Sequence, residues 1–325
     1  MTTPANAASL TDMRFFVAAY EERSFTAAAQ RENATQSGVS QHVAKLERAL
    51  GIPLFLREKG GIQPTSAAAA YYSRCLDVLR ACQAASASVA GLKGELAGEI
   101  TIGLMPTMTR SALAPALARF AEAHALVKVK VVEAYSGALT RDVRAGAFDF
   151  AIVPAFAGGP GLRVRPFLTT PETLVSAARK GPAAGIANLS PVRLADLGAM
   201  KIVLPGPDNT RRQTLATYFA THRVEVARTM ELDAMMGTLD YVAGSDWVTV
   251  LPGVMMAGGS DSERFRVNPI AGPRLDLDLV SIEPSRRALS PAAAEFYALL
   301  EAQTRRLNGM WDTRKRGAAA KVRRG

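Results

Sequence analysis

The sequence predicts an α/β protein in three parts: an all-α winged helix-turn-helix, a long linker helix, and a two-lobed, doubly wound domain. Three observations carry this expectation. Apolar residues recur at helical spacing from Leu10 to Leu50, with tight turns between the segments. An Ala-rich stretch with a seven-residue period follows. From Glu99 onward, short apolar strands alternate with helical segments.

In the first part, Leu10, Met13, Phe16, Val17 and Tyr20 form the apolar stripe of one helix. Ser24 suits the N-cap of a second, whose Ala27, Ala28 and Ala29 let another helix approach closely. Asn33-Ala34 makes a turn, and Thr35 caps a third helix with Val39, Val43, Leu46 and Leu50 turned inward. Gln36, Ser37, Ser40, Gln41 and Lys45 are left facing outward. Amides and hydroxyls near a helix start, with a cation further along, can pair with base edges and phosphate in a major groove. Gly51 to Phe55 ends the helix and opens a short strand; Arg57, Lys59, Gly60 and Gly61 suit a wing tip, and Ile62 to Thr65 returns. The same spacing also fits a plain three-helix core with a solvated polar face.

Wording, beyond spacing, separates the two. Phe15-Phe16-Val17 through Ser24-Phe25-Thr26-Ala27-Ala28-Ala29, then Gln36-Ser37-Gly38-Val39-Ser40-Gln41, Leu46-Glu47, Leu50-Gly51-Ile52-Pro53-Leu54-Phe55 and Arg57 resemble the N-terminal signature of LysR-type transcriptional regulators. The resemblance implies that Gln36, Ser37, Ser40 and Gln41 read DNA while Lys45 and Arg57 hold its backbone. The wing departs from the family pattern: Ala68 stands where a Gly is usual, Pro64 where a Leu is usual, and Gly60-Gly61 near a usual basic residue.

Tyr71, Cys75, Val78, Cys82, Ala85, Val89 and Leu92 alternate spacings of four and three. This is the seam of a helix that pairs with another, or of one packed on its own domain. Similarity to the family favours pairing between subunits. Both cysteines sit on this seam, as small buried apolar residues or as a redox pair.

Strands are expected over 99–104, 127–132 and 150–153, with helices over 112–121 and 139–145 between them. A second alternating set follows: strands 173–177, 201–204, 227–232 and 247–251, and helices 211–222 and 234–243. A strand over 275–282 returns to the first half, and Ser290-Pro291 starts a final helix. Two such lobes, joined by crossovers near Phe167–Thr170 and Asn268–Gly272, make a clamshell similar to periplasmic solute-binding proteins. Glu133 to Gly137, Phe148 to Val153, Trp247 to Pro252 and Leu289 to Ala293 resemble LysR effector domains. The expected parts are thus 1–66 for the winged helix-turn-helix and 67–95 for the linker. The effector domain takes 96–304, with lobe I at 96–168 and 270–304 and lobe II at 169–269; 305–325 is left as a basic, disordered tail.

Ligands of doubly wound sheets bind beyond the strands' carboxyl ends. That places Pro106, Thr107, Met108, Tyr135, Ser136, Gly137 and Phe156 around one crevice, and Asn209, Thr210 and Arg211 open a helix on the other lobe. Helix N-termini favour a carboxylate or phosphate, which Arg110 and Arg211 would reinforce; the same hydroxyls could simply cap their helices. Tyr135, Phe156 and Trp247 could flank an aromatic ring or fill the core, and Asp233 could accept a hydroxyl or cap its helix. The expected effector is a small organic anion, with no cofactor. The resemblance further implies double-stranded DNA with an interrupted palindrome, a homodimer or homotetramer, and RNA polymerase as a further partner.

The formal charge of +10 is weak support for DNA binding, because residues 305–325 hold 8 Lys/Arg against 1 Asp/Glu. Such a tail attracts DNA without reading it. The three histidines and two cysteines show no zinc-ligand spacing and no disulfide framework. No apolar run reaches a membrane span, and Met1 to Leu10 lacks a signal-peptide pattern, so a cytoplasmic protein is expected. No Ser/His/Asp order, phosphate loop or metal cluster supports an enzyme.

Overall fold

The computed structural model describes residues 8–322 apart from 59–60, 91–95, 181, 184, 208 and 258–262, and forms two compact units. The N-terminal unit, up to Gly94, carries α1 (Leu10–Glu22), α2 (Phe25–Arg31), α3 (Gln36–Leu50), β1 (Phe55–Glu58), β2 (Gly61–Pro64) and α4 (Ser66–Ala90).

Each boundary has a local cause. Ser9 and Asp12 form a reciprocal capping box at the start of α1. Ser24 Oγ accepts from the Ala27 N–H at 3.3 Å, and Thr35 Oγ1 from that of Gly38 at 3.1 Å. Asn33 turns the chain with φ 51°, and Gly51 ends α3 with φ 69°. The Glu47 carboxylate accepts the N–H groups of Leu54 (2.7 Å) and Phe55 (3.1 Å), tying α3 to the start of the wing. Phe16, Val17, Val39, Val43, Leu46 and Leu54 fill the core. Leu50 does not join them: it is 44% exposed, the last residue before the Gly51 cap and past the packed part of the stripe.

The first turns of α4 pack on this core through Ala68, Cys75, Leu76 and Leu79. The heptad seam leaves that stripe after Cys75: Val78, Cys82 and Ala85 are exposed. Cys82 is thus exposed within one chain, at a seam position that a paired helix would cover. Leu92, with the wing-tip residues Lys59 and Gly60, lies outside the described residues, as does the side chain of Val89.

The second unit contains β3 (Gly98–Leu104), α5 (Pro106–Met108), a π-helical turn (Thr109–Leu113), α6 (Ala114–Ala123), β4 (Val127–Glu133), α7 (Ser136–Arg144) and β5 (Phe150–Pro154). There follow β6 (Leu162–Ala177), β7 (Met200–Leu204), α8 (Thr210–Thr221), β8 (Val226–Glu231), α9 (Met235–Gly244), β9 (Val248–Pro252), β10 (Phe265–Pro269), β11 (Asp276–Pro284) and α10 (Pro291–Val322). Among the described residues the strand order is β4-β3-β5-β11-β6-β9-β7-β8, with β10 also on β6.

β3 runs parallel to β4 and β5, and β7 parallel to β8 and β9. β11 on β5, and β6 with β9 and β10, are antiparallel, so the sheet is mixed rather than wholly parallel. The cause is the connection between lobes: the strands that leave and re-enter a lobe run against those that build it. β6 is 16 residues long and crosses from one lobe into the other. Its N-terminal half, with Arg163, Arg165 and Pro166, lacks an apolar run, and neither it nor β10 was expected from the sequence. The two crossovers lie side by side, with Glu172 N–H donating to Leu275 O (2.9 Å) and Ile270 N–H to Glu172 O (3.0 Å).

The last helix overturns the expectation of a tail from residue 305. It continues to Val322, and Leu307 and Trp311 extend the buried stripe of Phe296 and Leu300. Trp311 Nε1 donates to Gly253 O at 2.7 Å, and Asn308 Nδ2 to Thr169 O at 3.0 Å. A Cβ at Gly253 would lie 3.1 Å from the indole, so the glycine lets the ring seat. Charge counting alone hid these two apolar residues among the basic ones. Side chains from 312 onward lie outside the described residues. Among the described residues no helix is long and apolar enough to cross a membrane.

Candidate DNA-reading helix and effector crevice

On α3, Gln36, Ser37 and Gln41 are exposed and Ser40 is half-buried. Ser37 Oγ stands 3.2 Å from the capping Thr35 Oγ1, so the helix start is held in place by the same hydroxyl that caps it. Lys45 is not an unattached cation: its Nζ donates to Asp12 Oδ2 at 2.9 Å. Arg48, which the sequence reading passed over, is exposed one turn further and donates through Nε to Ala44 O at 3.3 Å. Arg57 lies on β1, and its side chain is outside the described residues.

In the second unit a narrow crevice of about 590 Å³, counted to its open mouth, lies beyond the carboxyl ends of β3, β4 and β7. Pro106, Thr107, Tyr135, Ser136, Asn209 and Arg211 line it, as the topology led us to expect. Thr107, Ser136 and Asn209 each stand at the start of a helical stretch, where backbone N–H groups lack intrahelical partners. Asn209 Oδ1 already caps α8 by accepting from the Arg211 N–H at 3.0 Å. The π turn just past Thr107 is a distortion of the kind that recurs beside functional sites.

Arg211 reaches the crevice with its charge already matched. Its guanidinium makes three bonds to Glu172 at 2.8, 2.8 and 3.1 Å and one to Val250 O at 3.1 Å. Burial raises the Tyr135 hydroxyl above its ordinary pKa, and the Asp233 and Glu133 carboxylates add to this while Arg211 opposes it. Tyr135 is thus a neutral hydrogen-bond donor at physiological pH.

Two domain models match the chain: the lysR-family bacterial regulatory helix-turn-helix protein over residues 10–69, and the LysR substrate binding domain over 93–305. The chain belongs to the LysR family. It is a DNA-binding transcriptional regulator with an effector-binding domain, not an enzyme. The nitrogen assimilation regulatory protein nac of Klebsiella aerogenes is 27% identical over 286 residues, covering 88% of this chain and 92% of that one. A probable hydrogen peroxide-inducible genes activator of Mycobacterium avium is 29% identical over 268 residues, covering 82% and 85%. Full-length CbnR in complex with its target DNA shares the fold, with a TM-score of 0.52 and 19% identity over 91% of this chain and 99% of that one.

Within this LysR regulator, the remaining expected residues are dispersed. Met108 is fully buried beneath the crevice rather than in it. Gly137 and Phe156 line a neighbouring groove with Thr140, Arg141 and Arg144. Asp233 caps no helix; its Oδ1 accepts from the Gly206 N–H at 3.0 Å, and a Cβ at Gly206 would meet Oδ2 at 2.4 Å. Thr210 begins α8, and its side chain is outside the described residues. Trp247 is buried against Tyr241 and Arg228 just before β9, away from the carboxyl end that faces the crevice. The apolar lining that the sequence reading missed, including Leu204, Leu232, Met235 and Leu251, comes from strand ends and from the turn into α9. Its signal was the last residue of each apolar run, read as core.

Proposed function

We propose that this regulator binds an interrupted palindrome in double-stranded DNA as a homodimer or homotetramer, and that a small organic anion in its crevice alters transcription. Gln36, Ser37, Ser40 and Gln41 read base edges, and Arg57 holds the backbone with Lys45. The exposed seam positions Val78, Cys82 and Ala85 support pairing through α4. RNA polymerase is the further partner of this reading, and the cytoplasm its compartment.

One observation carries the anion: Thr107, Ser136 and Asn209, at the starts of three helical stretches, line one crevice. The positive ends of these helical stretches favour negative charge, and the Thr107 and Ser136 hydroxyls add donors. With Arg211 matched by Glu172, the backbone rather than a free guanidinium supplies the attraction. The effector acts through its different affinities for the open and closed lobes.

Matched carboxylates, amides and amines, screened by thermal shift and by footprinting on selected DNA, test this. Carboxylates should raise the unfolding midpoint and change the footprint, and Thr107→Val with Ser136→Ala should weaken both effects. Equal response to the amides and amines would overturn the anion. Binding that leaves the footprint unaltered would overturn the coupling.

A further inference from the structure

A fully buried carboxylate on α1 faces a histidine and a lysine of α3. Asp12, on α1, has no exposed surface. Its Oδ1 is 2.6 Å from His42 Nδ1, while Oδ2 accepts from Lys45 Nζ at 2.9 Å and from the Ser9 N–H at 2.8 Å. His42 is 36% exposed, and its ring meets Phe15 edge-on at 4.9 Å between centroids. An open groove along α3 is lined by Gln41, His42, Ala44, Lys45 and Arg48. The charged groups around the imidazole are therefore Asp12 from α1, and Lys45 and Arg48 from α3. Among the described residues no charged side chain of α2 bonds to it.

A carboxylate that accepts from Nδ1–H sets the tautomer and leaves Nε2 as the nitrogen offered to the groove. With His42 neutral, Nε2 is an acceptor, and the Lys45 charge is balanced by Asp12. With His42 protonated, Nε2 becomes a donor and the cluster carries one net positive charge. Guanine O6 and N7 and the phosphate oxygens are all acceptors, so a duplex favours the protonated form.

We propose that His42 contacts DNA through Nε2 and takes up a proton on binding, with Asp12 as its positioning residue. The outward positions singled out from the sequence omitted His42, which the structure places both against Asp12 of α1 and along the groove of α3.

The test uses the full chain and a duplex selected by it from randomised DNA at neutral pH. Affinity is measured at fixed salt across the imidazole range, about pH 5.5 to 8.5, for the wild type and for His42→Gln. Glutamine can still donate to Asp12 but cannot titrate. Wild-type affinity should tighten on acidification by up to about tenfold per pH unit, and the His42→Gln slope should be flat. Calorimetry in buffers of different ionisation enthalpy should show proton uptake by the wild type and none by His42→Gln. Asp12→Asn, checked for native circular dichroism, should reduce that uptake. Equal pH slopes for wild type and His42→Gln, or equal proton uptake, would overturn the proposal. Uptake unchanged in folded Asp12→Asn would remove Asp12 from it.

Discussion

Arg211 and Glu172 stand 39 residues apart in sequence and meet at 2.8 Å beside the crevice, with side chains 11% and 5% exposed. The guanidinium binds both carboxylate oxygens and spends a further N–H on the Val250 carbonyl. Glu172 also carries both backbone bonds that join the crossovers. A charge pair beside the crevice is thereby built into the segment that joins β6 to the strands around it.

Breaking one side of this pair strands the other charge in a buried place. Arg211→Ala should destabilise the effector unit by about 3–5 kcal/mol, whereas replacing both partners with apolar residues of similar volume should cost far less. Denaturant unfolding of the two single variants and the double variant measures the difference. Glu172→Gln should also free the guanidinium and raise affinity for an anionic effector; unchanged affinity would mean that Arg211 does not face the ligand.

Trp311 makes the second prediction. Its ring is 3% exposed and its Nε1 is bonded to Gly253 O, so Trp311→Ala should cost about 3–5 kcal/mol. A chain ended after Thr304 should lose comparable stability. If residues 305–325 were a solvated tail, neither change would move the thermal midpoint.

The local chemistry of the chain was legible in the sequence, and long-range pairing was not. Ser24, Thr35 and Asn33 act within a few residues of themselves, so their caps and turn could be read directly. The stripe Val39, Val43 and Leu46 follows from helical period alone. Topology gave the crevice its place, since alternating strands and helices put Thr107, Ser136 and Asn209 at one end of the sheet. Nothing local shows that Arg211 is matched by Glu172, or Lys45 and His42 by Asp12. Trp247 and Trp311 make the same point: aromatic type suggested a ligand for one and the surrounding charge a tail for the other, and packing buried both.

Asp12 gives a pH dependence of definite sign. Burial alone would raise its pKa, but bonds from His42, Lys45 and Ser9 outweigh burial and hold the carboxyl well below its ordinary 3.8. A depressed folded pKa contributes stability above the unfolded value and loses it as pH falls from there toward the folded one. The N-terminal unit should therefore weaken below about pH 4, and Asp12→Asn should flatten that part of the curve. Acid titration followed by circular dichroism of both proteins measures it; coincident slopes would assign the acid sensitivity to other carboxylates.

The two cysteines of α4 should differ in reactivity. Cys75 is 1% exposed and burial pushes its thiol up to about 11, the Tyr71 hydroxyl opposing only in part. At pH near 8 it has almost no thiolate and no access, so alkylation should reach it only after unfolding. Cys82 is exposed within one chain and stands on the heptad seam. Native protein should thus label at Cys82 first, as peptide mass mapping would show. If α4 pairs with a second copy along that seam, the Cys82 rate should fall as protein concentration rises and chains associate. A rate independent of concentration through the range of association would place the subunit contact away from Cys82, while rapid native labelling of Cys75 would contradict its place in the core.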